Sequence, residues 1–206
     1  MPSSLKFQQA SSVTCAGVTA WNALNGLDAI KPGDTVLTQG TGGISTFAIQ
    51  FAKATGATVI STTSSEEKSQ MLRALPFPPD HLVNYKIDSN WGQKSRKLSS
   101  GRLGVDCIVE VGGPAIPEQS FAAIKLGGVV SIVGILGGQG KTQPSFLEIL
   151  KHGCIMRGVL IGNRSQFEEM NLFIGAKGIK SVFDPKAWKL EELKEAYQYL
   201  VSVRSD

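Results

Sequence analysis

The sequence predicts an α/β protein organised on one doubly wound, parallel sheet of six strands. Three observations predict it. Short β-branched, apolar runs alternate with stretches of helical periodicity along the chain. Glycine-rich turns follow several of those runs, at the strand ends where such sheets bind ligands. Hydrophobic residues make up 42% of the 206 positions, enough for a real core.

The elements follow in order. Phe7 to Gly26 reads as one helix or two short ones, with Ala16, Ala20, Trp21 and Leu24 on its apolar face and Gly26 as its stop. Lys31-Pro32-Gly33-Asp34 is turn chemistry that delivers the chain to the first strand. Val36 and Leu37 give that strand its character; Gly40, Gly42 and Gly43 permit a tight turn, and Phe47, Ala48, Phe51 and Ala52 recur at helical spacing. Thr58 to Ser61 forms a second strand. Ser64 or Ser65 caps the next helix, Glu66 and Glu67 sit in its first turn where the dipole favours acids, and it ends near Pro76. His81 to Tyr85 is a third strand and Trp91 to Leu98 a polar helix. Val105 to Val111 is a fourth strand ending in Gly112-Gly113-Pro114, and Phe121 to Ile124 lies on a helix. Val129 to Val133 is a fifth strand; Val133 to Ile135 forms its carboxyl end, and Gly134, Gly137 and Gly138 follow the strand. A short helix over Ser145 to Leu150, a sixth strand over Ile155 to Ile161, and helices over Ser165 to Ala176 and Leu190 to Val203 complete the chain.

The chemistry-bearing stretch is Gly40-Thr41-Gly42-Gly43-Ile44-Ser45. A helix that starts at such a turn aims free N–H groups and the positive end of its dipole at whatever lies there, which suits a phosphate. The spacing is that of a dinucleotide fingerprint in which Ser45 replaces the third glycine. In NAD-binding sheets an acid about 20 residues past the first glycine holds the adenosine ribose hydroxyls. The window Ser61-Thr62-Thr63-Ser64-Ser65 has none; Glu66 and Glu67 come just after it, inside the helix. Ser64 leaves room for a 2′-phosphate and Lys68 can neutralise its charge, so the expected cofactor is NADP rather than NAD. The competing reading has Ser64 and Ser65 only capping the helix and Lys68 solvated.

Other classes are disfavoured. The net charge of +4 comes without a basic arm, and Lys94, Arg96, Lys97 and Arg102 read as a solvated helix face, so no nucleic-acid partner is expected. The most apolar run, Leu126 to Leu136, is too short to span a bilayer, and Met1-Pro2-Ser3-Ser4-Leu5-Lys6 has no signal-peptide core. Cys15, Cys107 and Cys154 lie far apart, with neither a disulfide framework nor a metal knuckle, which points to a reducing cytosol. Neither a Tyr-x-x-x-Lys dyad nor a Gly-x-Ser-x-Gly elbow is present. A methyltransferase-like nucleoside binder would also want a ribose carboxylate after the second strand, and it is missing.

Cys15-Ala16-Gly17-Val18-Thr19-Ala20-Trp21, Lys31-Pro32-Gly33-Asp34, Gln39 to Ser45, Gln50-Phe51-Ala52-Lys53, Asp80 to Tyr85, Val105-Asp106, Glu110-Val111-Gly112-Gly113 and Gly127-Gly128 together resemble the medium-chain dehydrogenase/reductases, in their zinc-type alcohol dehydrogenase-like and quinone oxidoreductase-like branch. The resemblance implies a Rossmann-like fold that serves hydride transfer between NADPH and a small carbonyl, enone, quinone or alcohol. It implies that Gly40, Thr41, Gly42, Gly43, Ile44 and Ser45 hold the pyrophosphate, that Thr19 lies near the nicotinamide, and that Tyr85 approaches the adenosine phosphate. Gly112, Val133 and Gly162 would flank the nicotinamide side. Thr19 also reads as a mid-helix threonine making a local bond, and Arg164 as a surface arginine.

Cys15 matches a metal-ligand position of zinc-dependent relatives. His81 and His152 are misplaced as companions, so Cys15 is expected to be a small buried residue and no zinc is expected. Catalytic residues stay unassigned. By the same resemblance most of an N-terminal catalytic lobe is missing, and Val201 to Asp206 stop before a further strand, as in a fragment. The expected division is 1–30 as a remnant of that lobe with an entry helix, 31–165 as the dinucleotide-binding domain, and 166–206 as a helical remnant. Phe7 and Trp21 would then be exposed. A catalytically inactive dinucleotide-binding or interaction module is the alternative. Relatives pair through the edge of the sixth strand, and Ile155, Val159 and Ile161 would make a homodimer there.

Overall fold

A run that is apolar at both odd and even positions can sit only in a strand covered on both faces, and the first such run lies at the centre of the molecule. β1 (Thr35–Gln39) is buried at every residue. A computed structural model describes residues 2, 5–113, 117–134, 145–184 and 186–204. Pro114, Ile135, Gly137, Gly138, Ser205 and Asp206, named above, lie outside the described residues, as do Met1, Ser3 and Ser4.

From β1 the chain winds through α3 (Gly43–Thr55), β2 (Thr58–Thr63), α4 (Glu66–Arg73) and β3 (His81–Asn84). It returns through α5 (Trp91–Leu98) to the other side of β1 and adds β4 (Val105–Glu110), α6 (Pro117–Ala123), β5 (Ile124–Ile132), α7 (Phe146–His152) and β6 (Ile155–Gly158). The six strands lie in the order β3-β2-β1-β4-β5-β6, and every adjacent pair is parallel. This is the expected doubly wound sheet. Its two halves meet between β1 and β4, the switch point at which such folds open a crevice.

Strand alternation divides the core into two layers. Val36, Val59, Cys107 and Val109 pack with Leu24, Phe47, Phe51, Met170 and Ile174. Leu37, Ile60, Ile108 and Val130 pack on the opposite face with Trp91 and Phe121. The first layer belongs to α1 (Phe7–Ser12), a π-helical turn (Val13–Gly17), α2 (Val18–Asn25), α3 and α8 (Arg164–Lys177). A 3₁₀ turn (Leu190–Glu192) and α9 (Leu193–Arg204) follow α8.

Several expectations are corrected. Trp21 is not left exposed: its ring meets Phe51 edge-on at 5.5 Å and Phe173 at 5.1 Å, because α2 packs into the seam between α3 and α8. Phe7, by contrast, is 86% exposed. Cys15 is exposed on the π turn rather than buried. Arg96 is not merely solvated; its guanidinium donates to the Ile124 carbonyl at 2.8 Å. α5 is polar outside but buries Trp91, Gly92 and Ser95. α4 stops at Arg73, short of Pro76. Ile124 opens β5 rather than closing a helix, pairing with Val105. β6 ends at Gly158, and Ile161 adopts φ 57°, outside any strand conformation. Val159 is buried rather than part of an exposed edge. Among the described residues no helix is long and apolar enough to cross a membrane.

Candidate functional site

The chain leaves β1 through Gly40, which takes φ 74° and donates its N–H to the Thr62 carbonyl at 2.8 Å. Gly42 is the extended cap of α3, and no side chain caps the helix. The Thr46 N–H closes the first helical turn on the Gly42 carbonyl at 2.9 Å. The N–H groups of Gly43, Ile44 and Ser45 precede that turn and have no partner within the helix. A Cβ on Gly40 or Gly42 would meet nothing within 4 Å, so the helix start faces open space. Ala16 of the π turn walls it on one side, 3.3 Å from where a Gly43 Cβ would stand. The Ser45 side chain is turned inward: the residue is 1% exposed and its hydroxyl donates to the Gln39 carbonyl at 2.6 Å. Ser45 therefore braces the turn from behind, and only its N–H faces the opening.

At the exit of β2, Ser65 rather than Ser64 is the cap, accepting from the Lys68 N–H at 3.2 Å. The Thr63 hydroxyl is 3.1 Å from the Ser65 carbonyl and 3.0 Å from the Ser69 hydroxyl. Ser64 is left half-buried at the tip, with Lys68 half-buried in the first turn beside it. Among the described residues Lys68 makes no salt bridge, whereas Glu66 turns away to Arg73 at 2.6 Å. Tyr85 follows β3, its N–H donated to the Thr63 carbonyl at 3.0 Å and its side chain largely exposed.

The other half of the sheet supplies Gly112, Val133 and Gly162. The Gly112 N–H donates to Glu110 Oε1 at 2.9 Å, and the Val133 N–H to the Glu110 carbonyl at 2.9 Å. Gly162 lies against Val18 of α2. Thr19, one residue further, is buried and donates its hydroxyl to the Cys15 carbonyl at 2.8 Å, the local bond of a mid-helix threonine. Arg164 opens α8, bound to Glu168 at 2.8 Å and pointing into solvent. The sequence-predicted residues thus gather at the carboxyl edge of the sheet. Sequence reasoning overlooks the link between Gln39 and Glu110 across the switch point, where the Gln39 amide donates to the carboxylate at 2.7 Å. An acid closing the apolar run Cys107-Ile108-Val109 is the available signal.

A cavity of about 80 Å³ opens at the opposite, amino end of the strands, lined by Asp34, Asp106, Lys125 and Arg157 among others. Two of its charged groups pair directly. Asp106 accepts from the Thr35 N–H at 2.7 Å and from the Lys125 ammonium, and that bond holds Lys125 above its ordinary pKa. Burial, with the Asp106 charge adding to it, pushes the neighbouring Cys107 thiol up to about 12, so it stays protonated. Among the described residues no three His, Cys, Asp or Glu side chains are grouped to hold a metal ion, and Cys15 stands alone on its turn. The residues present do not fit a zinc site.

A family model described as zinc-binding dehydrogenase matches residues 43–176. A zinc-type alcohol dehydrogenase-like protein of Schizosaccharomyces pombe is 39% identical over 204 residues, an overlap of 96% of this chain and 58% of that protein. An NAD-dependent alcohol dehydrogenase of Sulfolobus acidocaldarius is 32% identical over 200 residues, 95% of this chain and 55% of its own. The crystal structure of a Sinorhizobium meliloti protein designated an alcohol dehydrogenase superposes with a TM-score of 0.86 at 36% identity, covering 98% of this chain and 57% of that one. The chain therefore spans little more than half the length of the proteins it is similar to.

Proposed function

The chain belongs to the zinc-binding dehydrogenase family, and from that premise we propose that it binds a nicotinamide dinucleotide, NADPH ahead of NADH, as the cofactor-binding part of an oxidoreductase. One observation carries the reading. The uncapped start of α3 faces open space at the switch point, with Gly40 and Gly42 leaving room for a diphosphate against the backbone. The N–H groups of Gly43, Ile44 and Ser45 would take the diphosphate, with Thr41 beside them. Gly112, Val133, Gly162 and Thr19 would border the nicotinamide, and Tyr85 the adenosine. The half-buried Ser64 and Lys68, which makes no salt bridge among the described residues, favour a 2′-phosphate, and Glu66, committed to Arg73, is poorly placed to serve ribose hydroxyls. Residues 31–165 would form the dinucleotide-binding unit. The flanks 1–30 and 166–206 pack together, as the Ser181 hydroxyl on the Gln9 carbonyl (2.9 Å) and Gln166 on Asn22 (2.9 Å) illustrate.

The reaction served would be hydride transfer between NADPH and a small carbonyl, enone, quinone or alcohol, with the chemistry belonging to the cofactor and the chain positioning it. β6 lies at the edge of the sheet with Ile155, Leu160 and Ile161 exposed, which favours pairing with a second copy. Sedimentation at micromolar concentration should show dimer; monomer alone would remove that part.

Titration with NADPH and NADH, followed by nicotinamide fluorescence, tests the binding. Saturable enhancement with NADPH is expected, and none with either cofactor sinks the reading. Turnover of a quinone, enone and alcohol panel would support the oxidoreductase, whereas binding without turnover would favour a dinucleotide-binding module that lacks activity of its own.

A further inference from the structure

We propose that Glu110 is a positioning residue that locks the two ligand-facing turns together across the switch point; the proposal rests on the dinucleotide reading above. The ladder between β1 and β4 runs from Val36 with Cys107 to Thr38 with Val109. One residue further on each strand, side chains take over. Gln39 Nε2 donates to Glu110 Oε2 at 2.7 Å, and Gln39 Oε1 accepts from the Val111 N–H at 3.4 Å. The same carboxylate oxygen accepts from the Ser120 hydroxyl of α6, while Oε1 takes the Gly112 N–H at 2.9 Å.

Three elements are thereby tied to one carboxylate. Gln39 immediately precedes Gly40, and its carbonyl accepts the Ser45 hydroxyl, so it carries both sides of the glycine turn. Gly112 belongs to the turn after β4. Ser120 fixes α6 beneath that turn. Glu110 is only 3% exposed and makes no salt bridge among the described residues. An isolated buried carboxylate is costly, and a well-packed apolar side chain would serve stability at least as well. A carboxylate is, however, the one side chain of this length that only accepts, so amide, hydroxyl and backbone N–H can all point inward together. That requirement is geometric and sits directly behind the two turns that would border the diphosphate and the nicotinamide.

The test compares Glu110→Gln with the reversal Gln39→Glu/Glu110→Gln in the 206-residue chain. In the single variant a second amide meets fixed donors, whereas the reversal restores one donor facing one acceptor. Glu110→Gln should raise the Kd for NADPH by about tenfold, the loss expected for one unpaired buried polar contact. Adenosine 2′,5′-bisphosphate, which engages only the β2 side, should change by less than about twofold. Amide hydrogen exchange without cofactor should quicken at Gly112 and across Gly40–Ser45. The reversal should recover NADPH affinity to within about threefold of the parent. The proposal is overturned by unchanged NADPH affinity in the single variant, by equal weakening of both ligands, or by failure of the reversal to recover affinity. A parent that binds no dinucleotide would sink the functional reading instead; exchange would still judge Glu110, and unaltered protection of both turns would overturn its role.

Discussion

Gly162 stands so close to Val18 that a methyl group on its α-carbon would lie 2.7 Å from Val18 Cγ2 and 3.3 Å from the Val18 carbonyl oxygen. Gln166 Oε1 closes the third side at 3.0 Å. The contact pins the segment after β6 onto α2, where Asn22 Nδ2 also donates to the Ile161 carbonyl at 2.7 Å. Gly162→Ala should therefore cost about 1–3 kcal/mol through overpacking. Urea unfolding without any cofactor measures it. A loss below about 0.5 kcal/mol would mean the segment shifts freely and the packing account is wrong.

Gly42 offers the opposite case. It caps α3 in an extended conformation open to every residue, and a Cβ placed on it would have nothing within 4 Å. Gly42→Ala should change stability by less than about 1 kcal/mol. The new methyl would stand where the diphosphate must approach the backbone, so NADPH affinity should fall about tenfold or more. Thermal melts and fluorescence titration of the same sample separate the two effects. Parental affinity would argue that the ligand lies elsewhere.

Lys68 offers a test of the proposed preference for NADPH. Lys68→Ala should weaken NADPH by about tenfold while leaving NADH within about twofold, since only NADPH offers a phosphate there. The NADPH loss should shrink as salt is raised, because the side chain is only half-buried. Equal effects on both cofactors would remove Lys68 from the 2′-phosphate.

Much of the fold is legible in the sequence because both-sided burial leaves a plain signature. Val36-Leu37, Val59-Ile60 and Ile108-Val109 send alternate residues into different core layers, so neither position can be polar. The glycine turn is legible for a similar reason: Gly40 needs its positive φ, and few sequences supply that just after a strand. What escapes depends on pairing across sequence distance. Nothing local shows that Gln39 and Glu110 meet, since 71 residues separate them. Trp21 reads as exposed because its partners Phe51 and Phe173 lie on different helices. Cys15 reads as buried because free cysteines commonly are, whereas here it lies exposed on the π turn.

The exposure of Cys15 makes thiol chemistry a direct readout. Cys15 is exposed, while Cys107 and Cys154 are buried and burial raises both thiols, Cys107 to about 12. A thiolate-selective reagent at pH 8 should modify one of the three cysteines quickly in the native chain and all three in urea. Cys15→Ser should abolish the fast phase. Its persistence would place Cys15 back inside the core.

Asp80 gives the chain a defined acid sensitivity. Its carboxylate accepts from the Lys53 ammonium and from the Val59 N–H, each at 2.7 Å, and its own N–H donates to the Val59 carbonyl at 2.9 Å, joining α3, β2 and the approach to β3. Partial burial pushes the carboxyl upward, but the Lys53 bond, the Val59 N–H and the Lys53 charge outweigh it, so its pKa lies below the ordinary value. The unfolded chain therefore takes up the proton first on acidification. The stabilisation is complete above the ordinary carboxylate pKa of about 4 and is lost as the pH falls from there through the lower folded value. Asp80→Asn keeps an acceptor for Val59 but no charge for Lys53. It should lower stability at pH 7 by about 1 kcal/mol, as suits a part-exposed pair. The gap between parent and variant should close as the pH falls from about 4 through the lower folded pKa, beneath which both carry a neutral side chain. Denaturant melts at successive pH values measure that gap, and a difference independent of pH would mean that the Lys53 charge does not carry the contribution.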